Sequence, residues 1–506
     1  MAAYSTLVAV DLGSNSFHLQ VARVVGDQLY PLDSLREPIR FGAGLTRDKR
    51  LDESSQSRAL ECLQRFGERL RGFDPHAVRA VGTNTLRVAK NAASFLKQAE
   101  AALGCPIEVV AGREEARLIY LGVSHSLPVS KDKRLVVDIG GGSTEFIIGR
   151  AFKPLRLESI YMGCVSYSLK YFPDGKVSKS AMKQAALAAR SDLQTIIAGY
   201  AQGNWQQAVG SSGTARALAE ILQLNGYSDA GITPDGLDRL SAALIKAGDI
   251  EHLDLKGLRS DRLPVLPGGL AIMSAVLSEL GIEAMVVAGG SLRQGILYDL
   301  LGRFQHHDMR DVTVSQFMQR YHVDSKQARR VAGLALVLYR RFTAGAAGVD
   351  EAAPNYLSWA AKLHEIGISV AYGGYHKHSA YIVQNADMPG FSQREQWRLA
   401  TLLLAHRRSL KKIFTRNVEI IDWHMVMALR LAALIYRSRA DIALPQIDAE
   451  VQGRTLRLGI ERGWLAHNPL TATALQEEIE EWEATGFKLD IKSLRELEEG
   501  GEARAA

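Results

Sequence analysis

Cysteine and proline are scarce in this sequence, and long apolar runs are missing. Of 506 residues, 3 are cysteines and 14 are prolines. Cys62, Cys105 and Cys164 lie far apart without a CxxC pair, which excludes a disulfide framework and a cysteine-rich metal site. We therefore expect small core residues at these positions. No apolar run approaches the roughly eighteen residues of a membrane span, so we expect a cytoplasmic protein.

Two common nucleotide-binding motifs are also missing. Neither GxxxxGK[ST] nor GxGxxG occurs, so neither a Walker-type NTPase nor a Rossmann dehydrogenase is supported. The composition, with 47% hydrophobic and 23% charged residues, excludes disorder, collagen and a coiled coil. The length predicts several domains rather than one.

Charge is distributed unevenly along the chain. Residues 301–440 hold 20 basic and 10 acidic side chains and eight of the 13 histidines, whereas residues 441–506 hold 7 basic and 14 acidic ones. A basic segment of this kind predicts a polyanionic partner, and nucleic acid, an acidic membrane and an inorganic polymer are all compatible with it. The alternative is a solvated basic face that the acidic tail balances.

An internal repeat organises the first 300 residues. The run Val8–Phe17 is matched by Leu135–Thr144: each has an apolar stretch, an aspartate and a turn of Gly, Ser or Asn residues. A second β-rich stretch follows each turn, which predicts two hairpins whose first strand ends in Asp11 or Asp138. Two related α/β halves are therefore expected.

The periodicity of apolar residues divides the chain into four predicted domains. Strands and helices alternate in residues 1–125 and again in residues 126–306. Residues 307–440 have apolar residues at helical spacing, which predicts an all-helical domain. Residues 441–506 combine an alternating stretch with an acidic helix, which predicts a small α+β domain.

The two aspartate-ended strands suit phosphate chemistry. Turns with small side chains let backbone N–H groups form an anion nest, and two such turns would bracket a phosphoryl group. Asp11 and Asp138 would repel phosphate unless they hold Mg²⁺, so the pair predicts a metal ion. A single turn of this type is usually only a hairpin, and the duplication is what favours a function.

Two further segments follow predicted strands. Glu114 and Glu115 open a helix and are candidates for activating water, although glutamates in a first turn commonly just compensate the helix dipole. The segment Gly82–Arg87 offers Thr hydroxyls and an arginine to phosphate oxygens. The alternative for the second segment is a structural turn with a surface arginine.

Together these motifs resemble the exopolyphosphatase / guanosine pentaphosphate phosphohydrolase family. The resemblance rests on Asp11–His18, Gly82–Arg87, Glu114–Arg117, Asp138–Glu145 and Gly210–Thr214, and it extends over nearly the whole chain. It implies an α/β fold with two duplicated actin-like (ribonuclease H-like) domains. It also implies that the helical domain is HD-like, because Trp359–Glu365 and His376–Asn385 resemble that part of the long bacterial exopolyphosphatases.

The resemblance assigns roles to individual residues. Glu115 would be the base that activates water, Asp138 would position Mg²⁺ together with Asp11, and Glu145 would assist. No covalent intermediate is needed, since the site has only to align and neutralise a terminal phosphoryl group. The residues expected to bind phosphate are Gly13, Ser14, Asn15, Ser16, Thr83, Arg87, Gly140, Gly141, Gly142, Ser143, Gly210, Ser211, Ser212, Gly213 and Thr214.

The helical domain departs from the HD pattern. The metal-binding His-Asp pair of that fold is His364-Glu365 here, which argues against a second metal centre. A basic channel for a long polyanion is the hypothesis for this domain. The expected channel residues are His378, His406, Arg407, Arg408, Lys411, Lys412 and Arg416.

The sequence therefore predicts an exopolyphosphatase, a Mg²⁺-dependent hydrolase that removes terminal orthophosphate processively from inorganic polyphosphate. Mn²⁺ is the alternative metal. Hydrolysis of guanosine pentaphosphate (pppGpp) to the tetraphosphate at the same cleft is the alternative within the family. An actin-like kinase or ATPase with a nucleoside pocket near Gly289–Ser291, and a noncatalytic polyphosphate-binding protein, are alternatives of other classes. The resemblance also implies a homodimer and peripheral association with the inner membrane face, and no nucleic-acid partner is expected.

Overall fold

The computed structural model describes residues 4–229, 231–304, 308–346, 348–413, 422–445 and 447–494. The chain divides into two compact units. Unit 1 comprises the residues up to Met309 together with Pro389–Gln393, and unit 2 comprises Arg310–Met388 and the residues from Arg394 onward. The four predicted domains remain a prediction, because this division does not test them.

The first sheet of unit 1 begins with the expected hairpin. Its strands are β1 (Thr6–Leu12), β2 (Phe17–Val25), β3 (Gln28–Glu37), β4 (Val78–Gly82) and β5 (Ile107–Val109). Their order in the sheet is β3-β2-β1-β4-β5; the first three strands are antiparallel, and β4 and β5 continue parallel to β1. Asp11 stands opposite His18 in the register of the hairpin.

The second sheet repeats this topology. Its strands are β6 (Lys133–Ile139), β7 (Thr144–Arg150), β8 (Lys153–Ile160), β9 (Gln207–Ser211) and β10 (Met285–Val287). Their order is β10-β9-β6-β7-β8, and Asp138 stands opposite Glu145. One bond recurs in both sheets: Val110 N–H donates to the Gly82 carbonyl at 3.1 Å, and Ala288 N–H donates to the Gly210 carbonyl at 3.0 Å. The two sheets therefore share one topology, as expected of two related α/β halves.

Helices cover both sheets of unit 1. They are α1 (Glu53–Leu70), α2 (Asn84–Val88), α3 (Ala92–Leu103), α4 (Gly112–Ser126), α5 (Cys164–Tyr171), α6 (Lys179–Leu193), α7 (Ile197–Tyr200), α8 (Ser212–Leu224), α9 (Pro234–Ala247), α10 (Leu266–Leu280) and α11 (Leu292–Phe304). In α1, the Asp52 side chain caps the first turn by accepting from Ser55 N–H. Helices α4 and α11 pack against each other, and their apolar side chains belong to a core cluster with residues of both sheets.

Helix α10 corrects the expectation that no apolar run approaches the length of a membrane span. The stretch Leu263–Leu280, with a mean hydropathy of 1.6, is long and apolar enough to cross a membrane by length and composition. In the structure 72% of it is buried, because α10 packs against α5, α6 and α9 within the second half of unit 1. A helix that is apolar on all sides is also typical of a core helix, and α10 is one.

Unit 2 is helical before it becomes α+β. Its helices are α12 (Met309–Arg320), α13 (Ser325–Phe342), α14 (Ala353–Leu363), α15 (Tyr375–Asn385), α16 (Gln393–Ala405), α17 (Trp423–Ile435), α18 (Arg462–His467) and α19 (Pro469–Glu483). A three-stranded sheet contains β11 (Ile447–Gln452), β12 (Thr455–Glu461) and β13 (Lys488–Leu494) in that order. The expected alternating strand and acidic helix near the C-terminus are therefore present as β12 and α19.

Candidate active site

A polar pocket in unit 1 gathers the ends of the central strands from both sheets. The turn after β1 and the turn after β6 line it, as do the first turns of α4, α8 and α11. The carboxyl ends of β1 and β6 bring Asp11 and Asp138 to this pocket, and α4 brings Glu115. Equivalent strand ends of the two sheets therefore line the same site.

The two glycine-containing turns approach each other closely. A Cβ atom on Gly141 would lie 2.9 Å from Cβ of Ser14 and 3.0 Å from the amide nitrogen of Asn15. A Cβ atom on Gly142 would lie 2.5 Å from Oδ1 of Asn84. A side chain at Gly141 would push the two turns apart, and one at Gly142 would collide with Asn84 of α2.

Three carboxyl groups, those of Asp11, Glu115 and Asp138, line the pocket, and that of Glu145 lies behind them. Burial raises the pKa of Asp11 to about 7, and Glu115 and Asp138 add to that rise although Arg293 opposes it. Burial likewise raises the pKa of Asp138 to about 6, against a hydrogen bond from Ser211. The pKa of Glu145 is raised well above its usual range by burial and by Glu115 and Asp138. Such mutually repelling carboxyl groups are typical of functional sites.

Glu115 has an arginine partner. Nη1 of Arg87 donates to Oε2 of Glu115 at 3.1 Å and to the carbonyl of Val110 at 2.9 Å. Burial raises the pKa of Glu115, and Arg87 offsets part of that rise through its charge and hydrogen bond. Arg87 therefore orients the carboxylate while leaving it more basic than an exposed glutamate.

The donor atoms of the pocket fit Mg²⁺. Oδ1 of Asp11 is buried and has no hydrogen-bond partner among the described residues, and the same holds for Oδ1 of Asn15. Within the described ranges, no three His, Cys, Asp or Glu side chains are grouped closely enough to hold a metal by themselves. Mg²⁺ commonly takes one or two carboxylates and completes its coordination with phosphate oxygens and water, so Asp11 and Asp138 would suffice.

Most residues predicted for the site line the pocket. These are Asp11, Gly13, Ser14, Asn15, Ser16, Thr83, Glu115, Asp138, Gly140, Gly141, Gly142, Ser143, Ser212, Gly213 and Thr214. Four predicted residues lie behind this lining. Arg87 contacts Glu115, Glu145 pairs with Asp138 across the hairpin, and Gly210 and Ser211 belong to β9. The roles of all these residues stay predictions.

Several lining residues were not among the predicted site residues. They are His18, Asn84, Cys164, Arg216, Arg262, Ser291, Leu292 and Arg293, together with Ile119 and Ile139. A signal existed for two of them. His18 occupies in the first copy the position of Glu145 in the second, and Arg293 follows strand β10 as Glu115 follows β5.

The residues predicted for a polyanion channel belong to unit 2. His378 is in α15, and His406, Arg407, Arg408, Lys411 and Lys412 follow α16. Arg416 lies outside the described residues. His406 is buried, and its ring lies in edge contact with those of His364 and His376. Burial together with the charges of Arg430 and Lys377 lowers the pKa of Lys412 to about 7, so positive charge is concentrated here.

Comparisons with known proteins agree with this geometry. The Ppx/GppA phosphatase family pattern matches residues 20–304, and the pattern for Ppx/GppA phosphatase, domain III, matches residues 309–479. A guanosine-5'-triphosphate,3'-diphosphate pyrophosphatase from Pseudoalteromonas translucida (strain TAC 125) is 39% identical over 95% of this chain and 97% of its own length.

Solved structures show the same fold. An exopolyphosphatase from Cytophaga hutchinsonii is 25% identical, with a TM-score of 0.53, over 59% of this chain and 98% of its own. An exopolyphosphatase-like protein is 23% identical, with a TM-score of 0.54, over 60% of this chain and 99% of its own.

Fold and site thus define a mixed α/β phosphatase built on two duplicated halves. The chain belongs to the Ppx/GppA phosphatase family, whose members hydrolyse phosphoanhydride bonds.

Proposed function

We propose that this protein removes the terminal 5'-phosphate of guanosine pentaphosphate to give the tetraphosphate and orthophosphate. The Pseudoalteromonas relative supports this substrate, because it is similar over nearly the full length of both chains and its name specifies that nucleotide. This preference reverses the order expected from the sequence, in which polyphosphate came first. The observation in the structure that carries the chemistry is Glu115, buried at the pocket and oriented by Arg87.

The reaction is a direct displacement by water. Glu115 accepts a proton from a water molecule as its oxygen attacks the terminal phosphorus. The bridging P–O bond breaks, and its electron pair stays on the oxygen of the shortened nucleotide. The turns Gly13–Ser16 and Gly140–Ser143 hold the terminal phosphoryl group between them. Mg²⁺ bound by Asp11 and Asp138 would neutralise negative charge on the phosphate oxygens.

The experiment measures orthophosphate release and identifies the nucleotide product by chromatography. Isotopically labelled water should place its oxygen in the released orthophosphate and leave the nucleotide unlabelled. Asp138→Ala, compared with the exposed Asp235→Ala in α9, should lose the activity. A nucleotide product that carries the label, or equal turnover of both variants, would contradict the proposal.

Polyphosphate is the second candidate substrate, and the basic cluster of unit 2 favours it. The cluster comprises His376, Lys377, Arg407, Arg408 and Lys412. Burial lowers the pKa of His376 to about 3 together with the charges of Lys412, Arg407, Lys377 and Arg408. Both ring nitrogens of His376 are buried without a partner among the described residues. A phosphate chain would relieve this concentration of positive charge.

Three other expectations remain proposals. Mg²⁺ dependence, with Mn²⁺ as the substitute, is tested by adding each metal to chelator-treated protein. Light scattering tests the homodimer, and sedimentation with anionic vesicles tests association with a membrane surface.

A further inference from the structure

Arg293 lies in the first turn of α11 and lines the pocket beside Asp11. Its Nη1 lies 2.7 Å from Nδ1 of His18. Because an arginine keeps its proton, Arg293 is the donor and Nδ1 of His18 is the acceptor, which places the proton of a neutral His18 on Nε2. Burial lowers the pKa of His18 far below its usual value, and Arg293 lowers it further, so this ring is neutral.

The charge of Arg293 is not matched by an ion pair. Two buried arginines of the neighbouring helix and strand behave differently: Arg117 pairs with Glu114 and Asp299, and Arg79 pairs with Glu108 and Asp299. Within the described ranges Arg293 has no carboxylate at salt-bridge distance. A half-buried guanidinium held by a neutral ring retains donors for an anionic ligand.

The duplication relates Arg293 to Glu115. Val109 of β5 pairs with Gly82, and Val287 of β10 pairs with Gly210, so these two valines are equivalent in the two sheets. Glu115 comes six residues after Val109, and Arg293 comes six residues after Val287. The two copies therefore place a carboxylate and a guanidinium at corresponding positions of the same pocket.

We propose that Arg293 is a catalytic residue that contacts the oxygens of the phosphoryl group and neutralises the charge that develops during its transfer to water. This inference rests on the proposed hydrolysis. It gives Arg293, in the second copy of the repeat, a charge and a role opposite to those of Glu115 in the first copy. One copy supplies the base that takes the proton from water. The other supplies the cation that stabilises the phosphoryl oxygens and the departing oxygen.

The guanidinium geometry suits this role. Its planar array of N–H groups can donate to two phosphate oxygens at once, which a lysine cannot reproduce. Arginines that stabilise phosphoryl-transfer transition states contribute on the order of 10³-fold or more to kcat. His18 acts as a positioning residue, since its Nδ1 holds the guanidinium at the edge of the pocket.

The test compares Arg293→Ala and Arg293→Lys with Arg239→Ala, which removes an exposed arginine of α9 that pairs with Asp235. Hydrolysis of guanosine pentaphosphate and of polyphosphate is measured for each protein, with thermal unfolding as the check on folding. We expect Arg293→Ala to lower kcat by about 10³-fold with a much smaller change in KM. Added guanidinium ion should restore part of the kcat of Arg293→Ala and leave Arg239→Ala unchanged.

The outcomes separate this inference from the proposed function. If the wild-type protein hydrolyses neither substrate, the proposed function fails. If the wild-type protein is active and Arg293→Ala keeps its kcat, or changes KM alone, the role of Arg293 is overturned while the function stands. Should Arg293→Ala fail to fold, Arg293→Lys decides: a folded lysine variant with full kcat would overturn the inference, and one with a large loss of kcat would support it.

Discussion

At the scale of single residues, Glu115 shows how two opposed effects prepare a base. Burial raises the pKa of its carboxyl group, whereas the charge and hydrogen bond of Arg87 favour the carboxylate. The pKa of Glu115 therefore stays above that of an exposed glutamate, while the Arg87 guanidinium orients its carboxylate. A general base works best when its pKa lies near the operating pH.

Replacing Glu115 by Gln should lower kcat by about 10² to 10⁴-fold, because the amide cannot accept the proton from water. Substrate should still bind, since the two turns and Arg293 remain. Orthophosphate release and equilibrium binding of the nucleotide are the two measurements. Glu53→Gln is the matched control, because Glu53 is a first-turn glutamate of α1 outside the pocket. Full turnover by Glu115→Gln would remove Glu115 from the mechanism.

The prediction about metal dependence concerns Asp138 and Asp11, the two proposed Mg²⁺ ligands. Asp138→Asn keeps the shape of the side chain but removes the charge that would attract a divalent cation. We expect the variant to need a higher Mg²⁺ concentration for half-maximal activity and to reach a lower maximum. A Mg²⁺ titration of both proteins measures this, and an unchanged titration curve would exclude Asp138 as a ligand.

At the scale of elements, the contact between the two turns depends on glycine. Gly141→Ala would place a methyl group against Ser14 and Asn15, so the turns must separate by a few tenths of an ångström or more. We expect a loss of kcat with little loss of stability, measured by phosphate release and thermal unfolding. Gly333→Ala is the control: Gly333 is exposed in α13, and a Cβ there meets nothing within 4 Å. That control should gain about 1 kcal/mol in unfolding free energy, because alanine favours the helix.

A buried ion network joins the two helices that carry Glu115 and Arg293. Asp299 of α11 pairs with Arg117 of α4 and with Arg79 of β4, and Arg117 also pairs with Glu114. Burial by itself would raise the pKa of Asp299, but Arg117, Arg79 and Arg303 outweigh burial and hold that pKa below its usual range. The network therefore stabilises the native state only while Asp299 is ionised.

Asp299→Asn should lower the unfolding free energy by about 3 to 5 kcal/mol, because it leaves buried arginines without their shared partner. The sign of the pH dependence follows from linkage. The depressed native pKa adds stability above the unfolded-state pKa of about 4, and this contribution is lost as the pH falls below it. Denaturant unfolding at several pH values should show the gap between wild type and variant narrowing in acid. A gap that is constant with pH would contradict this account.

At the scale of the whole molecule, the two candidate substrates should respond differently to salt. Long polyphosphate would use many charge contacts with the basic cluster of unit 2, and such contacts weaken steeply as ions screen them. We expect raised salt to increase KM for long polyphosphate far more than KM for guanosine pentaphosphate. The double variant Arg407→Gln/Lys412→Gln should flatten that salt dependence and leave the nucleotide reaction unchanged. Equal salt responses in the wild-type protein would count against the cluster as a polyphosphate site.

Much of the site could be predicted from local pattern. The two hairpins with Asp11 and Asp138 near the end of the first strand were predictable, because the aspartate, the small-residue turn and the second strand are adjacent in the chain. For Arg293 the only signal in the sequence was its position after β10, because it lies 282 residues beyond Asp11 and the position of α11 in the fold brings the two together. The length of the apolar stretch Leu263–Leu280 was underestimated, and its burial could not be predicted, because burial of an apolar helix depends on neighbours that are distant in sequence.

The sequence by itself determined the duplicated motif, the alternation of strands and helices in unit 1 and the family to which the chain belongs. These properties reside in short segments, where residue type and spacing act directly on the backbone. Only the tertiary structure decided which charges meet. It paired Arg87 with Glu115, left Arg293 bound to a neutral His18 and gathered four carboxyl groups at or behind one pocket, because electrostatic effects depend on distance through space rather than along the chain.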